Sequence, residues 1–145
     1  MTSDILTPDN VVAQGSATTK EGAIREAGEL LVRAGAVTPA YIDAMLERES
    51  SVSTYMGNFL AIPHGTNEAK DAILRSSLSL VRYSAPVDWD GDEVRFAVGI
   101  AGLNNEHLEI LSKIALVVAE EENVERLVNA ETKEELLAIF EEAKV

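Results

Sequence analysis

Two strand-like stretches, AILRSSLSLVRYS and VRFAVGIAGL, lie in the middle of this chain, with helical patterns before them and only helical patterns after them. The first alternates well enough for a strand over Ala72–Ser84. The second reads as a central strand over Val94–Leu103. Strands of that kind need helices for cover, and the chain carries one helical block on each side in sequence. The expected fold is α/β (α+β): a three-layer α/β/α arrangement with a small mixed β-sheet of about four to five strands flanked by helices. At 145 residues, with no internal repeat and no linker, residues 1–145 read as a single domain.

NVVAQGSAT (Asn10–Thr18) is β-branched and short, and reads as the first strand. Thr18 with Glu21 has the spacing of a capping box, and KEGAIREAGELLVRAG then carries apolar residues at a helical period until Gly35. Thr38 reads as N-cap, and Pro39 as first residue, of a second helix ending near Ser50. SSVSTYMGN is expected to be loop, FLAIP a short buried strand, NEAKDA a loop or single turn, and PVDWDGDE a turn. From Glu106 onward the pattern is helical, with a second capping box at Thr132 and Glu135.

The charge narrows the function classes. Twenty-five acidic against 12 basic side chains give a formal net charge of -13, which repels a duplex or an anionic membrane, so nucleic acid is a poor partner. Basic protein surfaces would be drawn in. With no cysteine, disulfides, zinc thiolates and cysteine nucleophiles are excluded. The N-terminus lacks the basic start and apolar core of a signal peptide, and no apolar run reaches the roughly 20 residues of a membrane span. The reading is a soluble, cytoplasmic protein without membrane insertion.

Most motif-like strings carry little. DWDGDE (Asp88–Glu93) opens like a calcium loop, but Glu93 stands where the sharp turn needs glycine and Gly99 where a bidentate glutamate is needed. GIAGL lacks the spacing of a dinucleotide loop, and no paired-histidine metal motif exists. No cofactor and no metal are expected.

The string NFLAIPHGTN is different. Pro63 fixes a backbone torsion and holds Ile62 extended, and Gly65 leaves the backbone on the other side uncluttered. His64 would stand at the carboxyl end of a strand, where ligands and reacting groups collect in open α/β sheets. Arg48 and Glu49 lie near the end of the helix leading toward this loop, and His107 lies in the first turn of the next amphipathic helix. Free N–H groups at such a helix start favour an anion. A neutral imidazole, an arginine fork and a helix N-terminus together suit phosphoryl transfer. The plain alternatives are a salt bridge for Arg48 and a capping or core place for His107.

AMLERESSVSTYMGNFLAIPHGTNEAKDAIL resembles the signature region of the EIIA domains of the sugar phosphotransferase system, of the fructose–mannitol class, nearest to the mannitol type. GIAGLNNEHLEILSKIA is similar to the family segment that carries the second histidine. The resemblance implies that His64 is phosphorylated on Nε2 by the phosphocarrier HPr. It further implies that the phosphoryl group passes to a cysteine of the EIIB domain of a mannitol-type EIICB during uptake of a sugar alcohol. Arg48 and His107 match the family's active-site partners. Thr54 is carried over as a supporting residue, beside Glu49, Pro63 and Gly65, which the local pattern already places in support of the site. The same site also occurs in regulatory, nitrogen-type EIIA modules not coupled to transport, and that remains the second reading.

Overall fold

The structure is a computed structural model that describes residues 6–103 and 106–142. Its ten main elements run β1 (Val11–Val12), α1 (Lys20–Arg33), α2 (Ala40–Ser51), β2 (Tyr55–Gly57), β3 (Leu60–Ala61), β4 (Ser77–Trp89), β5 (Asp92–Ala101), α3 (Glu106–Val118), α4 (Glu121–Asn129) and α5 (Lys133–Glu142). Short 3-10 turns at Pro8–Asn10 and Asn67–Ala72 join them.

Five strands form one sheet in the order β1-β4-β5-β3-β2. β1 runs parallel to β4, β4 antiparallel to β5, β5 parallel to β3, and β3 antiparallel to β2. The sheet is therefore mixed, and β5 is paired on both sides. Phe96, Val98 and Ile100 of β5 pack in one buried cluster with Ile110, Ile114, Leu127, Leu136 and Phe140 of the three C-terminal helices. The alternate residues Ala97 and Ala101 belong to a second cluster with Ile24, Leu31 and Met45 of α1 and α2. That period of two, read against helices on both faces, is the three-layer α/β/α arrangement.

Small residues set how close α1 lies to the sheet. A Cβ on Gly99 would sit 2.5 Å from Ser79 Oγ and 3.2 Å from Ala27 Cβ. Ser79 itself donates to the Ala27 carbonyl at 2.8 Å. A larger residue at either place would push the helix off the sheet.

Several sequence expectations need correction. The first strand shrinks to Val11–Val12, because beyond it the chain meets β4 through one backbone bond, Gly15 N–H to the Arg82 carbonyl, and through the side chains of Arg82 and Ser84, rather than through a continued ladder. Thr19, not Thr18, caps α1: its hydroxyl accepts from Gly22 N at 3.0 Å, while Glu21 pairs with Arg25 on the helix surface. At α2 the Thr38 backbone carbonyl takes the Tyr41 N–H, and no side chain caps the helix. The stretch expected as loop before FLAIP contains β2, which pairs with β3 through a tight turn with Asn58 at φ 51 and Phe59 at φ 69. PVDWDGDE is not a turn throughout. β4 continues to Trp89, with a register shift between Arg82 and Val87 that accommodates Pro86, and only Asp90–Gly91 turns the chain. Thr132 does meet Glu135, whose N–H it accepts at 3.2 Å.

Asp90 and Gly91 adopt φ 55 and 98, the pattern of the reversed turns that match strand twist. Gly91→Ala is expected to cost about 1 kcal/mol through backbone strain at a left-handed position. It should lower the urea midpoint at unchanged m-value in an equilibrium unfolding experiment.

Candidate functional site

The site forms where the chain leaves β3. Ile62, Pro63 and His64 continue alongside the end of β5: Ile100 N–H donates to the Pro63 carbonyl at 3.0 Å, and His64 forms a parallel bridge with Ile100. Pro63 cannot donate, but at this position only its carbonyl is used. The Thr54 carbonyl accepts from Ile62 N–H at 3.0 Å on the opposite side. The residues before His64 are thus fixed from both flanks.

His64 is half-buried, and its Nδ1 lies 2.8 Å from the Ile62 carbonyl oxygen. A carbonyl can only accept, so the neutral ring carries its proton on Nδ1 and leaves the Nε2 lone pair free. The His107 ring stands 5.1 Å away, centroid to centroid, tilted by 55°. Burial is the main force lowering the His64 pKa, with the Arg48 guanidinium adding to it; the Ile62 carbonyl and the Glu49 carboxylate oppose. His107 is also lowered, first by burial and then by His64.

Arg48 sits in the last turn of α2 and donates from Nη1 to the Val52 carbonyl at 2.8 Å, the residue that ends the helix. Among the described residues no carboxylate pairs with it. Its charge therefore stays available. Arg48, His64, Gly65 and His107 line one cleft of about 550 Å³, together with Tyr41 and Lys70. Ile73, Leu103 and Leu108 form apolar parts of its wall, and Leu108 is 66% exposed. Among the described residues no group of three or more acidic or histidine ligands could hold a metal ion. Two imidazoles, a guanidinium and an ammonium around one hollow suit a dianionic phosphoryl group.

The remaining residues singled out in the sequence do not line this cleft. Glu49 and Thr54 are buried behind it, at 5% and 4% exposure, and bond to each other. The two Asn residues before α3 lie outside the described residues.

The sequence reading did not find Tyr41, Gly102 or Lys70, and it gave Gly65 a different reason. Tyr41 is a buried residue of α2, but its hydroxyl donates to the Ile100 carbonyl at 2.7 Å and accepts from Gly65 N–H at 2.9 Å. Burial pushes its pKa up, so it remains a hydroxyl. Gly65 is needed because a Cβ there would sit 2.5 Å from the Tyr41 ring, rather than to leave open space. Gly102 lets the start of α3 close on the strand end, since a Cβ would lie 2.6 Å from His107 Cα. A polar tip on an otherwise apolar helix stripe, and a glycine ending a strand, were the only signals for these. Lys70 gave none.

The family described as "Phosphoenolpyruvate-dependent sugar phosphotransferase system, EIIA 2" matches residues 4–143. A mannitol-specific phosphotransferase enzyme IIA component of Halalkalibacterium halodurans is 52% identical over 142 residues, 98% of either chain. Among solved structures, enzyme IIA mannitol of Escherichia coli, determined in complex with phosphorylated enzyme IIB mannitol, superposes with a TM-score of 0.89 at 37% identity, covering 94% of this chain and 97% of its own. The crystal structure of IIA mannitol from the same organism gives 0.87 at 38% identity, covering 93% and 98%.

The lowered pKa values carry a sign. Folded, both rings bind a proton less readily than in the unfolded chain. Stability is thus fully present above the ordinary histidine value of 6.5 and falls as pH drops through it, levelling off below the folded values. Titration followed by histidine NMR should place both midpoints below 6.5, and a midpoint above it for His64 would contradict the burial argument.

Proposed function

The chain belongs to the EIIA 2 family of the phosphoenolpyruvate-dependent sugar phosphotransferase system, and on that premise we propose that it is the mannitol EIIA phosphocarrier, with His64 as its phosphorylated residue. The observation that carries this reading is the bond from His64 Nδ1–H to the Ile62 carbonyl, which reserves Nε2 as a nucleophile inside a cleft shared with Arg48 and His107.

In this reading the Nε2 lone pair attacks the phosphorus of phospho-HPr. The new N–P bond forms as the donor's N–P bond breaks, and the donor ring keeps the electron pair. Arg48 offers a guanidinium to the equatorial oxygens. His107 starts neutral, and the arriving negative charge draws a proton onto it, turning it into a hydrogen-bond donor. The second step reverses the roles. A cysteine thiolate of a mannitol-type EIIB attacks the phosphorus, and His64 leaves as a neutral imidazole. Burial keeps the cationic ring unfavourable, which helps the phosphoryl group leave. No cofactor enters either step.

The acidic surface and the apolar cleft wall favour partners with basic and apolar faces, and bonds made quickly and released quickly. The role is cytoplasmic, exercised by one domain spanning residues 1–145, at the inner face of the membrane component that moves the sugar. No helix among the described residues is long and apolar enough to cross a membrane itself. The regulatory, nitrogen-type alternative shares the site but not the acceptor, so mannitol-dependent loss of the phosphoryl group in the presence of the EIICB partner separates the two.

The first test is an intact-mass assay with phosphoenolpyruvate, Enzyme I and HPr, where one acid-labile addition of about 80 Da is expected. His64→Ala should abolish the addition while the circular dichroism stays native; stoichiometric uptake by that variant would remove His64 from the role. Arg48→Gln should slow transfer by about 10²-fold as loss of a charge stabiliser does. His107→Ala should slow it by about tenfold. Rapid-quench rates within twofold of the parent would take either residue out of the site.

A further inference from the structure

Behind the cleft lies a polar knot that neither the charge pattern nor the cleft itself accounts for. The Glu49 carboxylate is buried and takes three donors: Trp89 Nε1 at 3.1 Å, Thr54 N–H at 3.0 Å and the Thr54 hydroxyl. Trp89 is the chain's one tryptophan and is wholly buried. Among the described residues no cation pairs with Glu49. Burying a carboxylate costs desolvation, which these three neutral donors offset by holding its oxygens in one place. The carboxylate thereby ties the end of β4 to the segment that follows α2.

The bonds lead toward the nucleophile. Glu49 fixes Thr54 through its N–H at 3.0 Å. The Thr54 carbonyl then accepts from Ile62 N–H at 3.0 Å. The Ile62 carbonyl in turn takes Nδ1 of His64 at 2.8 Å. From the tryptophan to the imidazole the connection is unbroken, and each link aims the next. On the reading of His64 as the phosphorylated residue, we propose that Glu49, locked by Trp89, is a positioning residue for phosphoryl transfer: through Thr54 and Ile62 it fixes the tautomer and orientation of the His64 ring.

The proposal distinguishes position from charge. Gln has the shape of Glu. The Thr54 hydroxyl can rotate to accept from the new amide, while the amide oxygen still takes Trp89 Nε1 and Thr54 N–H. Glu49→Gln therefore preserves the chain of bonds and removes only the charge. It should keep transfer from HPr within about threefold of the parent, while the acid limb of the pH profile moves down, since the carboxylate raises the His64 pKa. The pair Glu49→Leu with Trp89→Phe replaces both side chains with apolar ones and frees Thr54 from its acceptor, at some cost in stability. Its kcat should fall by about tenfold at unchanged KM for HPr, because the ring is loosened rather than the docking surface.

The deciding readout is ¹⁵N NMR of His64 in the whole chain, which needs no phosphoryl donor. The parent and Glu49→Gln should show Nδ1 protonated and Nε2 bare; the double variant should show a second tautomer. A double variant that folds, transfers within twofold of the parent and keeps the single tautomer overturns the proposal. So does Glu49→Gln losing as much activity as the double variant, since the charge would then be the operative feature. Should the double variant not fold, Trp89→Phe alone decides, with a second tautomer expected and an unchanged ring overturning. If the parent takes no phosphoryl group, the phosphocarrier reading fails while the tautomer result still stands for or against the positioning role.

Discussion

The site depends on the attachment of Pro63–His64 to the end of β5. Ile100 N–H holds the Pro63 carbonyl, Ile100 O holds the Tyr41 hydroxyl, and that hydroxyl holds Gly65 N–H. One residue of a central strand thus organises the backbone on both sides of the histidine. β5 can serve this way because it is paired on both edges and covered on both faces, so its end has little freedom to move. A loop fastened to such a strand keeps the His64 ring in one pose, so that no binding energy need be spent on ordering it.

The electrostatics of the cleft pull in two directions. Burial disfavours the charged form of both histidines. Arg48 and Lys70 remain charged there, against a chain whose net charge is -13. The cations are few and local, while the acidic surplus is spread over the surface. At physiological ionic strength the surplus is screened within about 8 Å, so it acts on approaching partners more than on the cleft. The guanidinium and the half-buried rings are screened less and govern what happens once contact is made.

How much of this could be read from the chain follows from the range of the physics involved. The layer order was legible because helix and strand periods are local. His64, Arg48 and His107 stood out because rare or charged residues at element ends are local signals too. The register of β4 was not legible: Pro86 and the acidic residues after it look like a turn, and only pairing with β5 shows the strand running on to Trp89. β2 was hidden for the same reason, being three residues held by a partner and a turn. Tyr41, Gly102 and the reason for Gly65 depend on contacts across distant parts of the chain, where composition says little. Tyr41 sits at an apolar position of α2 by period, and only its hydroxyl reveals a second task.

The register of β4 also bears on the site. If the chain had turned at Pro86, Trp89 would have lain in solvent and Glu49 would have lost a donor. Because β4 extends to Trp89, the indole reaches the end of α2 and meets the carboxylate next to Arg48. Adjacent residues of that helix end then serve opposite sides of one wall: Arg48 faces the cleft with its charge, and Glu49 faces the core with its hydrogen bonds. A single helical terminus thereby couples the cation of the cleft to the backbone that holds the His64 ring. The geometry of each limits the other, since shifting the last turn of α2 to improve one contact would disturb the second.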